Sequence, residues 1–120
     1  MHELEVTPFL QQTALVELCA ARGVRLVAQS PLANGGAPGA RLLAEPALRA
    51  IAARRGATPA QVALRWCLER GIAPVVASSS AAHLREDLGA AALALDDDDM
   101  AAIAALDRGE RCGFDPNLIA

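Results

Sequence analysis

Apolar residues recur along this chain in two alternating rhythms. Short unbroken runs read as buried strands, and longer stretches with apolar positions every three or four residues read as amphipathic helices. Leu4–Val6 reads as the tail of a strand, stopped by Thr7-Pro8. Between Pro8 and Gly23, Leu10, Leu15, Leu18 and Ala21 fall at near-helical spacing, which predicts a helix carrying that stripe and ending at Gly23. Val24–Ala28 is a compact strand, with Gln29-Ser30-Pro31-Leu32 as its exit. Ala33–Ala40 holds Gly35, Gly36, Pro38 and Gly39, which predicts a loop.

Pro46 starts a short helix that runs through Arg55 and closes at Gly56. Thr58-Pro59 is an N-cap and first-turn pair, opening a helix from Pro59 to Arg70. Its inward positions are Val62, Trp66, Cys67 and either Ala63 or Leu64, and Gly71 ends it. Ile72–Ala77 is the second complete strand. Ser80 caps a helix over Ala81–Leu88, and Leu95-Asp96 opens another from Asp97 to Asp107, stopped by Gly109. Glu110–Ala120 reads as an irregular tail. Strands alternating with helices in this way indicate a parallel sheet. Three parallel strands cannot close a barrel and leave two open edges, so the chain reads as part of a larger α/β fold.

Composition narrows the function classes. The 120 residues make one domain or a piece of one. Trp66, Phe9 and Phe114 are the only aromatic residues, and the abundant Ala fills a core poorly. The net charge is −3, every basic residue is Arg, and Arg54–Arg55 is the only adjacent pair, so there is no basic footprint for nucleic acid. The apolar run Ile72–Ala77 is too short to span a bilayer, and MHELEV lacks a signal-peptide pattern. Cys19, Cys67 and Cys112 share no spacing with metal or disulfide motifs. They read as reduced thiols of a cytoplasmic protein, Cys19 and Cys67 being small apolar filler. His2 and Arg54–Arg55 read as surface, and Trp66 as core.

Four candidate clusters carry the chemistry. Ser78–Ser80 follows a strand and opens a helix, so it reads both as an ordinary N-cap and as a phosphate-binding corner. His83 reads as a nucleotide contact or as an exposed helix residue. Asp96–Asp99 lacks the Gly and distal Glu of a calcium loop and reads as a helix start, with Asp96 as cap and Asp99 at the third helical position. Glu3 and Glu5 share one strand face, without a further polar cluster to make them an acid/base pair.

Five segments occur here in order: EVTPFLQQ, ARGVRLVAQSPLANG, GATPAQVALRWCLERGI, SSSAAHLREDL and LDDDDMAAIAALDRG. Together they resemble the C-terminal portion of the aldo-keto reductases, especially the bacterial diketogluconate-reductase-like branch. The resemblance implies a partial (β/α)8 TIM barrel, the last three βα units with parallel strands. Residues 1–120 would then be the C-terminal part of an NADP-dependent oxidoreductase domain, with an irregular tail from about 110. The family reduces aldehydes and ketones with NADPH, using Asp, Tyr, Lys and His from strands two to four. The resemblance places no catalytic residue on this chain, which contains neither Tyr nor Lys.

It does place cofactor-binding positions here. Glu3 stands where a Gln usually holds the nicotinamide amide; a carboxylate accepts from that amide but cannot donate to its carbonyl. Thr7 replaces a His, and Gln29 stands where an aromatic ring usually stacks on the nicotinamide. Ser30, Pro31 and Leu32 keep the family pattern beside the pyrophosphate. Ser78 is kept, but Ala77 replaces the Lys that meets the 2′-phosphate. His83 replaces an Arg, Glu86 is kept at the adenine, and Asp87 replaces an Asn. Losing one charge-assisted phosphate bond costs ~1.5–3 kcal/mol, so NADP binding is expected to be weakened. The alternatives are a non-catalytic nucleotide- or partner-binding module, self-associating through open sheet edges, and a non-functional gene fragment.

Overall fold

The computed structural model describes residues 2–29, 36–75 and 88–109. Three strands, β1 (His2–Glu5), β2 (Leu26–Gln29) and β3 (Ile72–Val75), form one sheet in the order β1-β2-β3. Both pairings are parallel. Helix α1 (Thr13–Ala21) connects β1 to β2. Three helices, α2 (Gly36–Leu43), α3 (Pro46–Arg55) and α4 (Pro59–Glu69), lie between β2 and β3. A 3-10 turn (Ala90–Ala92) and helix α5 (Asp97–Ala104) follow.

Register explains the layering. His2, Leu26 and Ile72 are paired in one row, and Leu4, Ala28 and Pro74 in another. Leu26, Ala28 and Ile72 are buried, and Leu4 packs against the core. That face of the sheet is the covered one. The alternate rows, Glu3–Val27–Ala73 and Glu5–Gln29–Val75, belong to the opposite face, where Glu3 and Ala73 are exposed. One core joins the covered face to Val16 and Cys19 of α1, Leu42 of α2, Leu48 and Ile51 of α3, Val62, Trp66 and Cys67 of α4, and Ile103 of α5. Among the described residues the helices contribute to this one core, as successive right-handed crossovers along a curved parallel sheet produce.

Local chemistry fixes the helix ends. Thr58 accepts a bond from the Gln61 N–H at 3.2 Å, while the Gln61 side chain accepts from the Thr58 N–H at 3.1 Å. This reciprocal capping box, with Pro59 in the first turn, starts α4 where the sequence places it. Gly56 ends α3 at φ +64°, a conformation that a side chain would strain. Asp96 and Asp99 form a second capping box at α5, and burial of Cys19 and Cys67 agrees with their reading as filler.

Several expectations are corrected. The α1 stripe is not Leu15 and Leu18, which are 36% and 48% exposed; the buried stripe is Val16 and Cys19. The spacing was compatible with either, and the αL residue Gln12 sets the helix phase so that Val16 and Cys19 face the sheet. The loop expected over Ala33–Ala40 is helical from Gly36, since Pro38 sits in the first turn, where its missing N–H costs nothing, and Leu42 anchors the far end in the core. Strand β1 lies at His2–Glu5 rather than Leu4–Val6, because Gln12 Nε2 takes the Glu5 carbonyl and the chain then enters the Thr7 turn. Strand β2 starts at Leu26, not Val24; the Val24 N–H is engaged by the Cys19 carbonyl at the end of α1. Helix α5 stops at Ala104 rather than Asp107, where the side chain of Asp107 turns to the loop after β1. Strand β3 is described as far as Val75; Val76–Ala77, the Ser80 cap and most of the Ala81–Leu88 helix lie outside the described residues.

Candidate functional site

The carboxyl ends of the strands meet in one register row, Glu5–Gln29–Val75. Glu3 is two residues back along β1 on the same face as Gln29. The register thus sets Gln29 in the last row of the sheet and Glu3, which is exposed, two residues before it on β1. Ser30, Pro31 and Leu32 continue directly from Gln29 in sequence, and Ser78 comes three residues after Val75. Ser30, Pro31, Leu32, Ala77, Ser78, His83, Glu86 and Asp87 lie outside the described residues.

The loop leaving β1 is closed on itself. Thr7 and Leu10 exchange backbone bonds of 3.0 and 2.9 Å. The buried Thr7 hydroxyl accepts from the N–H groups of Phe9 and Leu10, both at 3.1 Å. A side chain so engaged holds the turn. Gln12, at φ +51°, sends Nε2 to the Glu5 carbonyl at 2.7 Å and pins the end of β1.

Gln11 is the organising residue that sequence reasoning missed. It is 4% exposed, and its Nε2 donates to the carbonyls of Pro8 (2.9 Å) and Ile103 (2.6 Å). Its N–H reaches Asp107 Oδ1 at 3.2 Å, and its carbonyl accepts from Arg70 at 2.9 Å. The β1 loop, α5 and the end of α4 are therefore joined at one residue, its side chain reaching α5 and its backbone carbonyl meeting Arg70. Arg70 also lies 4.6 Å over the Trp66 ring; burial lowers its pKa, partly offset by Cys67, Asp107 and Glu17. Arg108 caps the same loop, donating its N–H to the Phe9 carbonyl at 2.9 Å and stacking 4.1 Å over the Phe9 ring. No pattern in the sequence distinguishes Gln11 from Gln12; only the turn geometry separates their tasks.

Arg54 and Arg55 were expected at the surface; Arg54 is exposed and Arg55 partly so, and both side chains are also engaged by carboxylates of α5. Arg54 reaches Asp99 Oδ1 and Arg55 reaches Asp99 Oδ2, both at 2.6 Å, and Arg55 also bridges to Asp96 at 2.6 Å. Asp99 is fully buried, and burial alone would raise its pKa. The bonds from Arg54, Arg55 and the Asp96 N–H outweigh that and hold it below the usual carboxylate range. The cap reading of Asp96 and Asp99 holds, but Asp99 also ties α5 to α3. Cys67 is pushed up to about 12 by burial, Arg70 pulling the other way, so its thiol stays protonated and unreactive. Among the described residues, no group of His, Cys, Asp and Glu is placed to hold a metal, and no helix is long and apolar enough to cross a membrane.

Comparison with known proteins places this geometry. A model of the aldo/keto reductase family matches residues 1–108. Methylglyoxal reductase DkgB of Yersinia pestis is 40% identical over 110 residues, covering 92% of this chain and 39% of that protein. Methylglyoxal reductase DkgA of Escherichia coli is 32% identical over 117 residues, covering 98% of this chain and 42% of that protein. Among solved structures, apo Gox0644 superposes with a TM-score of 0.87 at 34% identity, over 98% of this chain and 42% of its own. An aldo-keto reductase, AKR2E5, complexed with NADPH superposes with a TM-score of 0.85 at 32% identity, over 93% of this chain and 36% of its own. The chain thus spans roughly two fifths of the length of the proteins it matches.

Proposed function

This chain belongs to the aldo/keto reductase family, and we propose that it is the cofactor-side portion of an NADP(H)-dependent carbonyl reductase. Residues 1–120 form the C-terminal part of that reductase domain, with the tail beginning near 110. The observation that supports this reading is the parallel register, which puts Gln29 in the row at the carboxyl ends of the strands and the exposed Glu3 two residues before that row. Ligands of open and closed α/β sheets bind at those ends. Bound NADPH supplies the hydride. The residues of this chain bind and orient it: Glu3 accepts from the nicotinamide amide, Gln29 borders the ring, and Ser30, Pro31 and Leu32 follow the pyrophosphate. Ser78 donates to phosphate, His83 contributes a cation only when protonated, and Glu86 with Asp87 borders the adenine.

With no Tyr and no Lys, the chain has no proton donor of the family type and is inactive alone. The substrate of the complete reductase is a small carbonyl compound; relatives are named for methylglyoxal and D-xylose. The proposed location is the cytoplasm. The same absence of Tyr and Lys favours a second reading, a nucleotide-binding module without catalysis.

Titration of the purified chain with NADPH, followed by cofactor fluorescence, tests the proposal. A saturable signal, weakened roughly tenfold or more by Ser78→Ala, is expected for one charge-assisted bond lost. No saturation overturns nucleotide binding; an unchanged affinity in the variant removes Ser78 from the site.

A further inference from the structure

Resting on the reading of Ser78, His83, Glu86 and Asp87 as the adenosine side of the cofactor site, we propose that Gln61, Arg65 and Gly89 are positioning residues for that half of the dinucleotide. They hold the far end of residues 76–87 to α4, the helix on which the near end already packs. The four cofactor positions lie between Val75, where β3 ends, and Leu88, where the described chain resumes. At the near end, Ile72 is 1% exposed, pairs with Leu26, and shares the core with Val62, Trp66 and Cys67 of α4. At the far end the chain returns to the same helix. Leu88 and Gly89 are helical, and the 3-10 turn Ala90–Ala92 that follows packs on α4, with Ala90 buried. Glu86 and Asp87 immediately precede this anchored end in sequence, so a displacement of the turn displaces their backbone.

Two contacts fix the far end. Arg65 Nη1 donates to the Ala91 carbonyl at 3.0 Å, while its Nε and Nη2 both donate to Glu69 Oε1, at 2.9 and 2.8 Å. Glu69 thus sets the plane of the guanidinium that engages the turn. The second contact is at Gly89, where a Cβ would stand 2.6 Å from Gln61 Nε2. Gln61 has little room to withdraw. Its Oε1 accepts from the Thr58 N–H and its own N–H donates to the Thr58 hydroxyl, which is the capping box of α4. A side chain at position 89 therefore displaces either the turn or the cap. With φ at −61°, Gly89 has a backbone that any residue adopts, so its missing side chain serves the close approach. The exposed Arg65–Glu69 pair, three and four residues apart in helical terms, stabilises a fold little by itself. What it does is hold the turn at one place along α4.

The test measures binding of NADPH by fluorescence, and of 2′,5′-ADP, its adenosine half, by calorimetry, for the whole chain and its variants. Arg65→Met keeps the apolar stem and loses the donor; Arg65→Lys keeps a donor for the Ala91 carbonyl. Gly89→Ala drives the turn from Gln61. Arg65→Met and Gly89→Ala are expected to weaken both ligands about tenfold, and Arg65→Lys less than about threefold. Val16→Ala, which hollows the core at α1, is expected to lower the urea midpoint and leave both affinities unchanged. Unchanged affinity in Arg65→Met overturns the proposal, as it does in Gly89→Ala should Arg65→Met fail to fold. So does an equal loss in Arg65→Met, Arg65→Lys and Val16→Ala, which makes Arg65 a contributor to stability alone. A parent chain that binds both ligands, with every variant binding alike, removes this proposal and leaves the cofactor reading. A parent that binds neither removes the cofactor reading and this proposal with it.

Discussion

Helices α1 and α4 both return the chain to the start of the next strand and both pack on the covered face of the sheet, but they are secured differently. Helix α4 opens with a capping box and Pro59, buries six residues, and closes with Arg70 stacked on Trp66. Helix α1 opens at an αL residue with no side-chain cap, and buries only Val16 and Cys19. Its hold is at its entrance, where Gln11 and Gln12 bind the β1 loop and the Glu5 carbonyl. Cohesion in this molecule therefore concentrates in α3, α4 and α5, and thins toward the β1 edge. That gradient runs opposite to the proposed chemistry, since Glu3 lies on the thin side.

Truncating equivalent leucines on the two helices measures the gradient most directly. Leu64 is 2% exposed, so Leu64→Ala is expected to destabilise the chain by about 2–5 kcal/mol, the range for a buried Leu that leaves a cavity. Urea denaturation would show it as a fall in midpoint at constant slope. A loss under about 1 kcal/mol would mean that the α4 side is no better packed than the rest.

The next effect down belongs to Asp99. Asp99→Asn keeps the cap geometry but removes the charge held by Arg54 and Arg55, and should cost about 2–3 kcal/mol at pH 7. The pH dependence gives the sign. The folded pKa of Asp99 lies below its ordinary value, so the unfolded chain takes up the proton first as pH falls. Its contribution is complete above the unfolded value of about 3.9 and is lost as pH drops through the lower folded value. The difference in stability between the parent chain and Asp99→Asn should accordingly shrink below about pH 4. A difference that stays constant from pH 7 to pH 3 would assign the cost to packing rather than charge.

Sequence rhythm located the elements of both regions but not their cohesion. Thr58-Pro59, Gly56 and Asp96 are local signals, readable because a cap or an αL turn depends on residues three or four apart. The parallel order followed from strands alternating with helices. What escaped depends on contacts across dozens of residues. Gln11 meets Ile103, and Asp99 meets Arg54, with nothing in either local sequence to announce the pairing. The α1 stripe was misread for a different reason: two apolar stripes of equal spacing compete on that helix, and only the direction of approach to the sheet chooses between them. For the cofactor positions, strand alternation gives only the register rows of Glu3 and Gln29; their roles, like those of Ser30, Ser78 and His83, rest on resemblance.

The smallest predicted effect is the one that separates the two helices most cleanly. Leu18→Ala removes the same atoms as Leu64→Ala, from a helix on the same side of the sheet. At 48% exposure, Leu18 leaves no enclosed cavity when truncated, and Ala has the higher helix propensity. The expected change in the stability of the chain alone is within about 0.5 kcal/mol, the ordinary range for an exposed site. A loss near that of Leu64→Ala would show that Leu18 is already covered in solution, either by residues outside those described or by another copy. Repeating the denaturation over a hundredfold range of protein concentration distinguishes them, because only cover by another copy makes the midpoint rise with concentration.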